Sequence, residues 1–110
     1  MPRVDAEFTK RVYELVAQIP QGRVMTYGQV AAICGAAWAA WEVGQIANKG
    51  PVHLPWQRVV NKQGGLARGW PGGGVDAHKA ALEADGVHVN EDYTVNVGEL
   101  LWNPQQTTLL

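Results

Sequence analysis

The stretch "TYGQVAAICGAAWAAWEVGQIAN", residues 26–48, contains two helix signals separated by a glycine. Thr26 and Gln29 have the spacing of a capping box, which predicts that a helix begins directly after the threonine. Gly35 is a typical residue for a helix end, so this first helix is predicted to stop there. Apolar residues then recur with helical spacing and predict a second helix over residues 36–48. Two helices joined by a tight, glycine-containing turn form a helix-turn-helix.

The second predicted helix has two faces of different character. Its packing face carries small or aliphatic residues, namely Ala36, Ala39, Ala40, Val43, Ile46 and Ala47. The opposite face carries Trp38, Trp41, Gln45 and Lys49. The two tryptophans have two interpretations. They lie against a neighbouring loop or a dimer partner, or they contact DNA, since apolar side chains inserted between base steps grip and bend a duplex.

The segments on either side complete the predicted architecture. Residues 5–19 place apolar side chains on one helical face, and Pro20 follows as a stop signal. Residues 58–70 predict a β-hairpin with its turn at "NKQGG", and such a ribbon after a helix-turn-helix is a wing. Residues 75–86 predict a further helix. The fold class predicted from these elements is mainly α with a small β wing, a winged helix-turn-helix DNA-binding domain.

The C-terminal part is predicted to close the domain without adding a second one. Residues 87–97 alternate around a polar centre and predict a closing hairpin. The stretch "LLWNPQQTTLL", residues 100–110, predicts a tail anchored by Trp102. The 110 residues show neither an internal repeat nor a linker, so we expect a single domain over residues 1–110.

Composition limits the classes of function. The formal net charge is −1, which argues against a protein that holds nucleic acid by bulk positive charge alone. Cys34 is the one cysteine, so an internal disulfide and a cysteine-based zinc site are excluded. We therefore expect no metal and no cofactor. The single cysteine and the lack of an apolar leader in "MPRVDAEFTKR" lead us to expect a cytoplasmic protein. If it binds DNA, we expect it to be nucleoid-associated.

Four motifs together carry a family resemblance. They are "FTKRVYELVAQIPQGRVMTYGQVAAICG", "AAWEVGQIANKG", "LPWQRVVNKQGGLARGW" and "KAALEADGV", and they follow one another between residues 8 and 87. Over this range the sequence resembles the DNA-binding, active-site domain of the O6-alkylguanine-DNA alkyltransferases. The active-site motif of that family is Pro-Cys-His-Arg-Val, whereas residues 55–59 read Pro-Trp-Gln-Arg-Val. This departure, and the ending "YTVNVGELLWNP", resemble the alkyltransferase-like proteins.

The chemistry of the substituted motif argues against an enzyme. Alkyl transfer needs a thiolate nucleophile that a neighbouring base activates. The indole of Trp56 is no comparable nucleophile, and the amide of Gln57 cannot act as a general base near neutral pH. Cys34 lies at the end of the first helix of the pair, where a buried, inert thiol is expected. We therefore predict no catalytic residues and no self-alkylation.

The resemblance implies a DNA ligand and a pocket for a damaged base. It implies binding to double-stranded DNA that contains O6-alkylguanine, through the minor groove, with the lesion flipped into a pocket next to Trp56. The residues that it places at this lesion pocket are Trp56, Tyr27, Arg58, Arg68 and Trp70. Arg58 is equally compatible with a structural hydrogen-bonding role. Nucleotide excision repair proteins are the partners that the resemblance implies for a site marked in this way.

The resemblance also implies which residues contact the duplex. These DNA-binding residues are Thr26, Tyr27, Trp38, Trp41, Gln45 and Lys62. Tyr27 matches the family tyrosine that presses on the 3′ phosphate and helps to rotate the nucleotide. Trp41 replaces the family arginine that enters the duplex, so it can wedge and stack but cannot hydrogen-bond the orphaned cytosine.

Two other functions remain open at this point. One is a transferase that uses Cys34 or another acceptor in place of the missing cysteine. The other is a winged-helix DNA-binding regulator without lesion specificity. Such regulators read the major groove with polar side chains, which an Ala/Trp face suits poorly.

Overall fold

A computed structural model describes residues 4–104 and shows a mainly helical fold with a two-stranded sheet. In chain order the elements are α1 (Ala6–Val16), β1 (Met25–Thr26), α2 (Tyr27–Ile33), α3 (Ala40–Lys49), a 3-10 turn (Trp56–Arg58), β2 (Val59–Val60), α4 (Gly74–Ala84) and α5 (Val97–Leu100). The predicted fold class is confirmed. None of the helices between residues 4 and 104 has the length and apolar character needed to cross a membrane.

Side-chain caps mark the starts of the first two helices. Asp5 accepts a hydrogen bond from the backbone N–H of Phe8 at 3.0 Å, which caps α1. At α2, Thr26 Oγ1 accepts from the N–H of Gln29 at 3.1 Å, and Gln29 Oε1 accepts from the N–H of Thr26 at 3.3 Å. This reciprocal pair is the predicted capping box. Gly35 follows α2 with a φ of 101°, a conformation that favours glycine, and so ends the helix as predicted.

The third helix begins at Ala40 and not at the predicted Ala36. Residues 36–39 form a turn, in which the N–H of Ala39 donates to the carbonyl of Ala36 at 2.8 Å. Ala36 and Ala39 are buried, and Ala39 offers α3 no side-chain cap. Packing of these alanines therefore decides the start of the helix. Trp38 consequently lies in the turn before α3 and not on its surface.

Two groups of buried side chains form the core. The larger one joins α1, α2, the turn, α3 and the 3-10 segment through Phe8, Val12, Leu15, Val16, Ile19, Met25, Val30, Ala31, Cys34, Ala36, Ala39, Val43, Trp56 and Val59. The smaller one lies beneath α4 and the C-terminal segments and contains Val24, Val60, Leu66, Leu82, Val87, Val89 and Val95. The two groups meet at the sheet. Strand β2 contributes Val59 to the larger group and Val60 to the smaller one, and Met25 of β1 and the preceding Val24 divide in the same way.

The predicted wing hairpin over residues 58–70 is wrong in its strand partner. Strand β2 pairs in parallel with β1, with Met25 opposite Val59. The return segment pairs with a later part of the chain, where the N–H of Leu66 donates to the carbonyl of Tyr93 at 3.1 Å. The turn itself is present at residues 61–65, and its Gly64 packs so tightly that a Cβ would collide with the carbonyl of Val95.

The C-terminal segment turns and then returns to the helix-turn-helix. Residues 90–94 form a hydrogen-bonded turn. The rest of the predicted closing hairpin is wrong, because Thr94 pairs with Gly65 and Val97 begins α5. The N–H of Trp102 donates to the carbonyl of Val24 at 2.8 Å. Gln29 Nε2 donates to the carbonyl of Trp102 at 2.6 Å. The predicted anchor at Trp102 is confirmed, while the rest of the predicted tail, residues 105–110, lies outside the described residues.

Candidate nucleic-acid interface

A cleft of about 300 Å³ opens between α3, the start of α2 and the loop of residues 67–71. It is lined by Tyr27, Ala40, Trp41, Gly44, Gln45, Ala47, Asn48, Ala67, Gly69, Trp70 and Pro71. Three aromatic rings and several small residues thus surround one concave surface. Pockets of this size and composition are typical of small-ligand sites. We call it the α3 cleft.

A second compartment of about 250 Å³ adjoins the α3 cleft. It is lined by Ala47, Asn48, Gly50, Val52, Leu54, Gln57, Trp70 and Pro71. Four residues, Ala47, Asn48, Trp70 and Pro71, line both spaces. Trp70 therefore stands at the boundary between the two compartments. Gln57 belongs to the Pro-Trp-Gln-Arg-Val motif of residues 55–59, so the second compartment adjoins this motif.

Trp56 lies behind these compartments and lines neither of them. Its side chain is 6% exposed, and its Nε1 donates to the carbonyl of Pro51 at 2.9 Å. Tyr13 packs edge-on against its ring, with centroids 6.0 Å apart. A Cβ at Gly50 would lie only 2.5 Å from Trp56 Cζ2, so the glycine backbone covers the ring closely. The resemblance places Trp56 at the lesion pocket, but its ring is covered and offers the two compartments no open surface.

Arg58 is also placed outside the pocket. Its Nε donates to Asp85 Oδ2 at 2.8 Å and its Nη2 to Asp85 Oδ1 at 3.0 Å. Its Nη1 donates to the carbonyl of Ile19 at 2.8 Å. The hydrogen bonds from Arg58 lower the pKa of the Asp85 carboxyl and keep the pair charged. Arg58 thus joins the segment after α1 to the end of α4. This is the structural hydrogen-bonding role that the sequence left open for Arg58.

The two predicted basic contacts lie on the turn and the loop that follow β2. Lys62 is exposed in the turn of residues 61–65. Arg68 is exposed and lines a separate groove together with Asp92 and Tyr93. Arg68 is therefore not brought into the α3 cleft, because its loop turns it toward the C-terminal segment. Both cations remain accessible to phosphate groups.

Two tryptophans near the N-terminus of α3 are exposed. Trp41 is 71% exposed on the first turn of the helix, at the edge of the α3 cleft. Trp38 is 60% exposed in the preceding turn. Gln45, one turn further along α3, is exposed as well and lines the cleft. The predicted contacts Trp41 and Gln45 thus share one surface, and Trp38 lies beside it.

The start of α2 presents Tyr27 to the cleft. Its ring packs partly against the larger core, and burial raises the pKa of its phenol, which stays protonated at neutral pH. Thr26 uses its hydroxyl oxygen and its backbone N–H within the capping box. The backbone N–H of Thr26 is therefore already bonded, whereas its hydroxyl hydrogen can still be donated, so the DNA contact of Thr26 stays a prediction.

Cys34 is a buried thiol in the larger core. Burial raises its pKa, the opposite of what an alkyl-accepting cysteine needs. Arg11 Nη1 reaches the backbone carbonyl of Cys34 at 3.5 Å. The helix position of this residue predicted an inert core thiol, and its placement agrees. Between residues 4 and 104 no group of His, Cys, Asp and Glu side chains is arranged to hold a metal ion.

His78 is the residue next to the site that the sequence analysis did not single out. It is fully buried on α4 and stacks on Trp70, with ring centroids 4.3 Å apart and an interplanar angle of 14°. The N–H of Ala67 donates to its Nδ1 at 2.9 Å, and its Nε2 lies 2.9 Å from the carbonyl of Gln57. The helical pattern leaves the inward position open between His78 and Lys79, and no local signal identifies the partners of the histidine.

Comparison with known proteins places this geometry in a family. The family described as 6-O-methylguanine DNA methyltransferase, DNA binding domain, matches residues 7–87. Alkyltransferase-like protein 1 of Schizosaccharomyces pombe is 35% identical over 104 residues, which cover 89% of this chain and 96% of the relative. The DNA base-flipping protein of Escherichia coli is 38% identical over 98 residues, covering 87% of this chain and 74% of the relative. This chain belongs to the alkyltransferase-like branch of that family.

Solved structures agree with the assignment of this alkyltransferase-like chain. Schizosaccharomyces pombe Atl1, in complex with damaged DNA containing O6-carboxymethylguanine, superposes with a TM-score of 0.83 at 33% identity, over 93% of this chain and all of that one. The O6-methylguanine methyltransferase of Mycobacterium tuberculosis matches with a TM-score of 0.64 at 32% identity, over 74% of this chain and 50% of that one. The alkyltransferase-like chain thus corresponds to about half of the methyltransferase.

Proposed function

We propose that this alkyltransferase-like protein binds duplex DNA containing O6-alkylguanine, rotates the alkylated nucleotide into the α3 cleft and holds it there without chemical repair. The observation that carries the proposal is the cleft itself. Aromatic side chains surround it, α3 forms one wall, and the substituted motif at Trp56 and Gln57 lies behind it. The likeness to a relative that was solved with O6-carboxymethylguanine DNA supports the same ligand class.

Extrusion of the base costs a few kcal/mol, and alkylation reduces that cost because it weakens the base pair. The cleft must offset the remainder through stacking and edge contacts. Stacking of a base on an aromatic side chain contributes about 1–3 kcal/mol. Tyr27 and Trp70 supply ring surfaces in the cleft, and Gln45 and Asn48 supply amides for the base edges. These contacts favour a flipped guanine whose pairing is already weakened.

Trp41 is the residue that we place inside the duplex. It projects from the first turn of α3 at the mouth of the cleft. Ala40 and Gly44 beside it carry little side chain, so the helix can approach a minor groove that is only about 6 Å wide. An indole inserted between base steps fills the space that the flipped nucleotide leaves.

Alkyl transfer is not part of the proposed function. Trp56 and Gln57 stand where the family motif has cysteine and histidine, and neither supplies the nucleophile or its base. Cys34, the single cysteine, is buried in the core with a raised pKa. The protein is therefore a reversible reader of the lesion. We further propose that the complex marks the site for nucleotide excision repair proteins, as the family resemblance implies.

A paired titration tests the proposal. Two duplexes of identical sequence, one with a central O6-methylguanine and one with guanine, are titrated by fluorescence anisotropy at a fixed salt concentration. We expect tighter binding of the alkylated duplex, and mass spectrometry of the recovered protein is expected to show an unchanged mass. Equal affinity for both duplexes would contradict lesion recognition and favour a general DNA-binding regulator. A permanent gain of one methyl group would instead identify a transferase.

Excision repair needs a separate assay. A duplex with one O6-methylguanine is incubated with excision repair nucleases in the presence and absence of the protein. We expect incision flanking the lesion to increase when the protein is present, while the guanine duplex is not incised. No change in incision would remove the repair partner from the proposal and leave lesion binding intact.

A further inference from the structure

We propose that His78 is a positioning residue that holds Trp70 in place as the wall on which the flipped guanine stacks. The inference rests on the proposed function, since it assigns roles within the same cleft. Trp70 lines both compartments, whereas Trp56, the aromatic residue of the substituted motif, lines neither. The stacking surface is thereby assigned to the loop after β2 and not to the motif.

The contact between His78 and Trp70 leaves one side of the indole for a ligand. The two rings lie 4.3 Å apart and 14° from parallel, so the imidazole covers one face of the indole. The surface that Trp70 presents to the compartments is therefore its other face and its rim. A base stacked there would form a stack of three aromatic groups, with the indole of Trp70 between the imidazole and the base. Because the histidine lies on helix α4 and two hydrogen bonds hold its ring, we expect the platform to be formed before DNA binds.

Two hydrogen bonds fix the imidazole itself. Nδ1 accepts from the N–H of Ala67, so the ring proton must reside on Nε2, which donates to the carbonyl of Gln57. Ala67 lines the α3 cleft and Gln57 lines the second compartment. His78 thus bonds the backbone of Ala67 at the α3 cleft and of Gln57 at the second compartment, and it also supports the ring of Trp70 between them.

The surroundings of His78 keep the ring neutral. Burial lowers its pKa, and the bond from its Nε2 to Gln57 works in the opposite direction. Beyond Gln57 the neighbouring charges are Arg58 and Asp85, which are paired with each other. On α4 itself, Asp76 is bonded by the hydroxyl of Tyr93, and Lys79 lies over the same ring. The neutral imidazole is the form that can both accept and donate, as this site requires.

A double-mutant cycle tests the inference. The variants are His78→Leu, Trp70→Ala and their combination, and each is titrated with the O6-methylguanine and guanine duplexes. The quantity compared is the ratio of the two dissociation constants. We expect Trp70→Ala to reduce this preference by about 5-fold to 150-fold, the range of one base–aromatic stack. His78→Leu should reduce it at least threefold and add nothing once Trp70 is removed, because coupled residues are non-additive.

Two further variants separate positioning from general stability. Leu82→Ala removes a fully buried side chain one turn further along α4 and should lower the melting temperature while leaving the preference unchanged. His78→Gln keeps one donor and one acceptor and serves if His78→Leu does not fold. It should retain more of the preference than Trp70→Ala and less than the wild type.

Each result separates the inference from the function on which it rests. If the wild type itself shows no preference for the alkylated duplex, the proposed function fails. If the wild type shows the preference and Trp70→Ala keeps it, the stacking wall is wrongly assigned. If Trp70→Ala loses the preference while His78→Leu and His78→Gln keep it, as Leu82→Ala does, His78 is only a core residue.

Discussion

The five tryptophans take different places in the molecule although they share one side chain. Trp56 is buried, Trp70 and Trp102 are partly buried, and Trp38 and Trp41 are exposed. Sequence reasoning correctly turned Trp41 outward, because helical spacing set it opposite the alanines. It could not foresee that Trp56 is covered, because the covering groups, Tyr13 and the backbone at Gly50, come from other segments.

Replacement of Trp56 should mainly lower the stability of the fold. Trp56→Ala removes a buried ring and its hydrogen bond to Pro51, so we expect the free energy of unfolding to fall by about 3–5 kcal/mol. Urea denaturation followed by circular dichroism measures the change. Trp38→Ala is the control, because its exposed ring should alter the free energy by less than about 0.5 kcal/mol. A stable Trp56→Ala protein would show that the ring is not part of the core.

Replacement of Trp41 should affect DNA binding without affecting the fold. Trp41→Ala is expected to weaken binding of the O6-methylguanine duplex by about 5-fold to 150-fold, since one stacking contact is lost. Trp41→Arg should bind more tightly than Trp41→Ala, because an arginine can both insert and hydrogen-bond. Anisotropy titration gives the affinities, and thermal melting checks the fold. Wild-type affinity in Trp41→Ala would exclude insertion of this residue.

Individual helices were predictable where a local signal fixes them and less so where distant contacts do. Thr26 caps α2 as its spacing from Gln29 indicates, whereas the cap of α1 by Asp5 is seen only in the structure. The start of α3 has no capping side chain, so burial of Ala36 and Ala39 decides it. Strand β2 finds its partner in β1, because pairing depends on tertiary packing and not on the turn that follows it.

The ion pair between Arg58 and Asp85 joins the 3-10 turn to the end of α4 and should make stability depend on pH. The folded-state pKa of Asp85 is lowered, so its contribution is present above the unfolded value of about 3.9 and is lost as the pH falls through the folded value. Asp85→Asn should reduce the free energy of unfolding at pH 7 by about 1–3 kcal/mol.

Urea denaturation of both proteins between pH 7 and pH 2 measures this dependence. The difference between wild type and Asp85→Asn should shrink as the acid protonates the wild-type carboxyl. Glu83→Gln, which replaces an exposed carboxylate near the same end of α4, is the matched control. The difference in the free energy of unfolding between wild type and Glu83→Gln should be the same at every pH. A difference that stays constant over the whole range would show that the carboxylate charge contributes nothing.

On the scale of the whole domain, the candidate site is assembled from parts that lie far apart in the sequence. The cleft walls, α3 and the loop of residues 67–71, were recognisable from the motifs. The contacts by which His78 supports these walls could not be predicted, since a histidine on an apolar helical face gives no sign of which backbone groups it will bond. Arg58 and Arg68 were assigned to the pocket by resemblance, whereas Arg58 is bonded to Asp85 and Ile19 and Arg68 lines a separate groove.

The buried histidine also predicts a loss of stability in mild acid. The pKa of His78 is lowered in the folded protein, so the unfolded chain binds more protons once the pH falls below about 6.5. Stability contributed by the neutral ring is therefore complete above that value and declines as the pH falls toward the folded pKa. His78→Gln should flatten the melting temperature between pH 7 and pH 5, whereas His88→Gln, at an exposed position, should keep the wild-type slope. Identical slopes in all three proteins would contradict this assignment.

Gln29 gives the helix-turn-helix a connection that its capping role alone does not require. Its oxygen fastens the first turn of α2, and its nitrogen reaches the carbonyl of Trp102, 73 positions along the chain. Gln29→Glu exchanges that nitrogen for an oxygen and sets two acceptors against each other. Amide exchange at Trp102 should then accelerate at neutral pH and slow again when the new carboxyl is protonated. The side-chain amide of Gln29 thus links the start of α2 to the C-terminal segment at Trp102, and this link depends on the amide nitrogen.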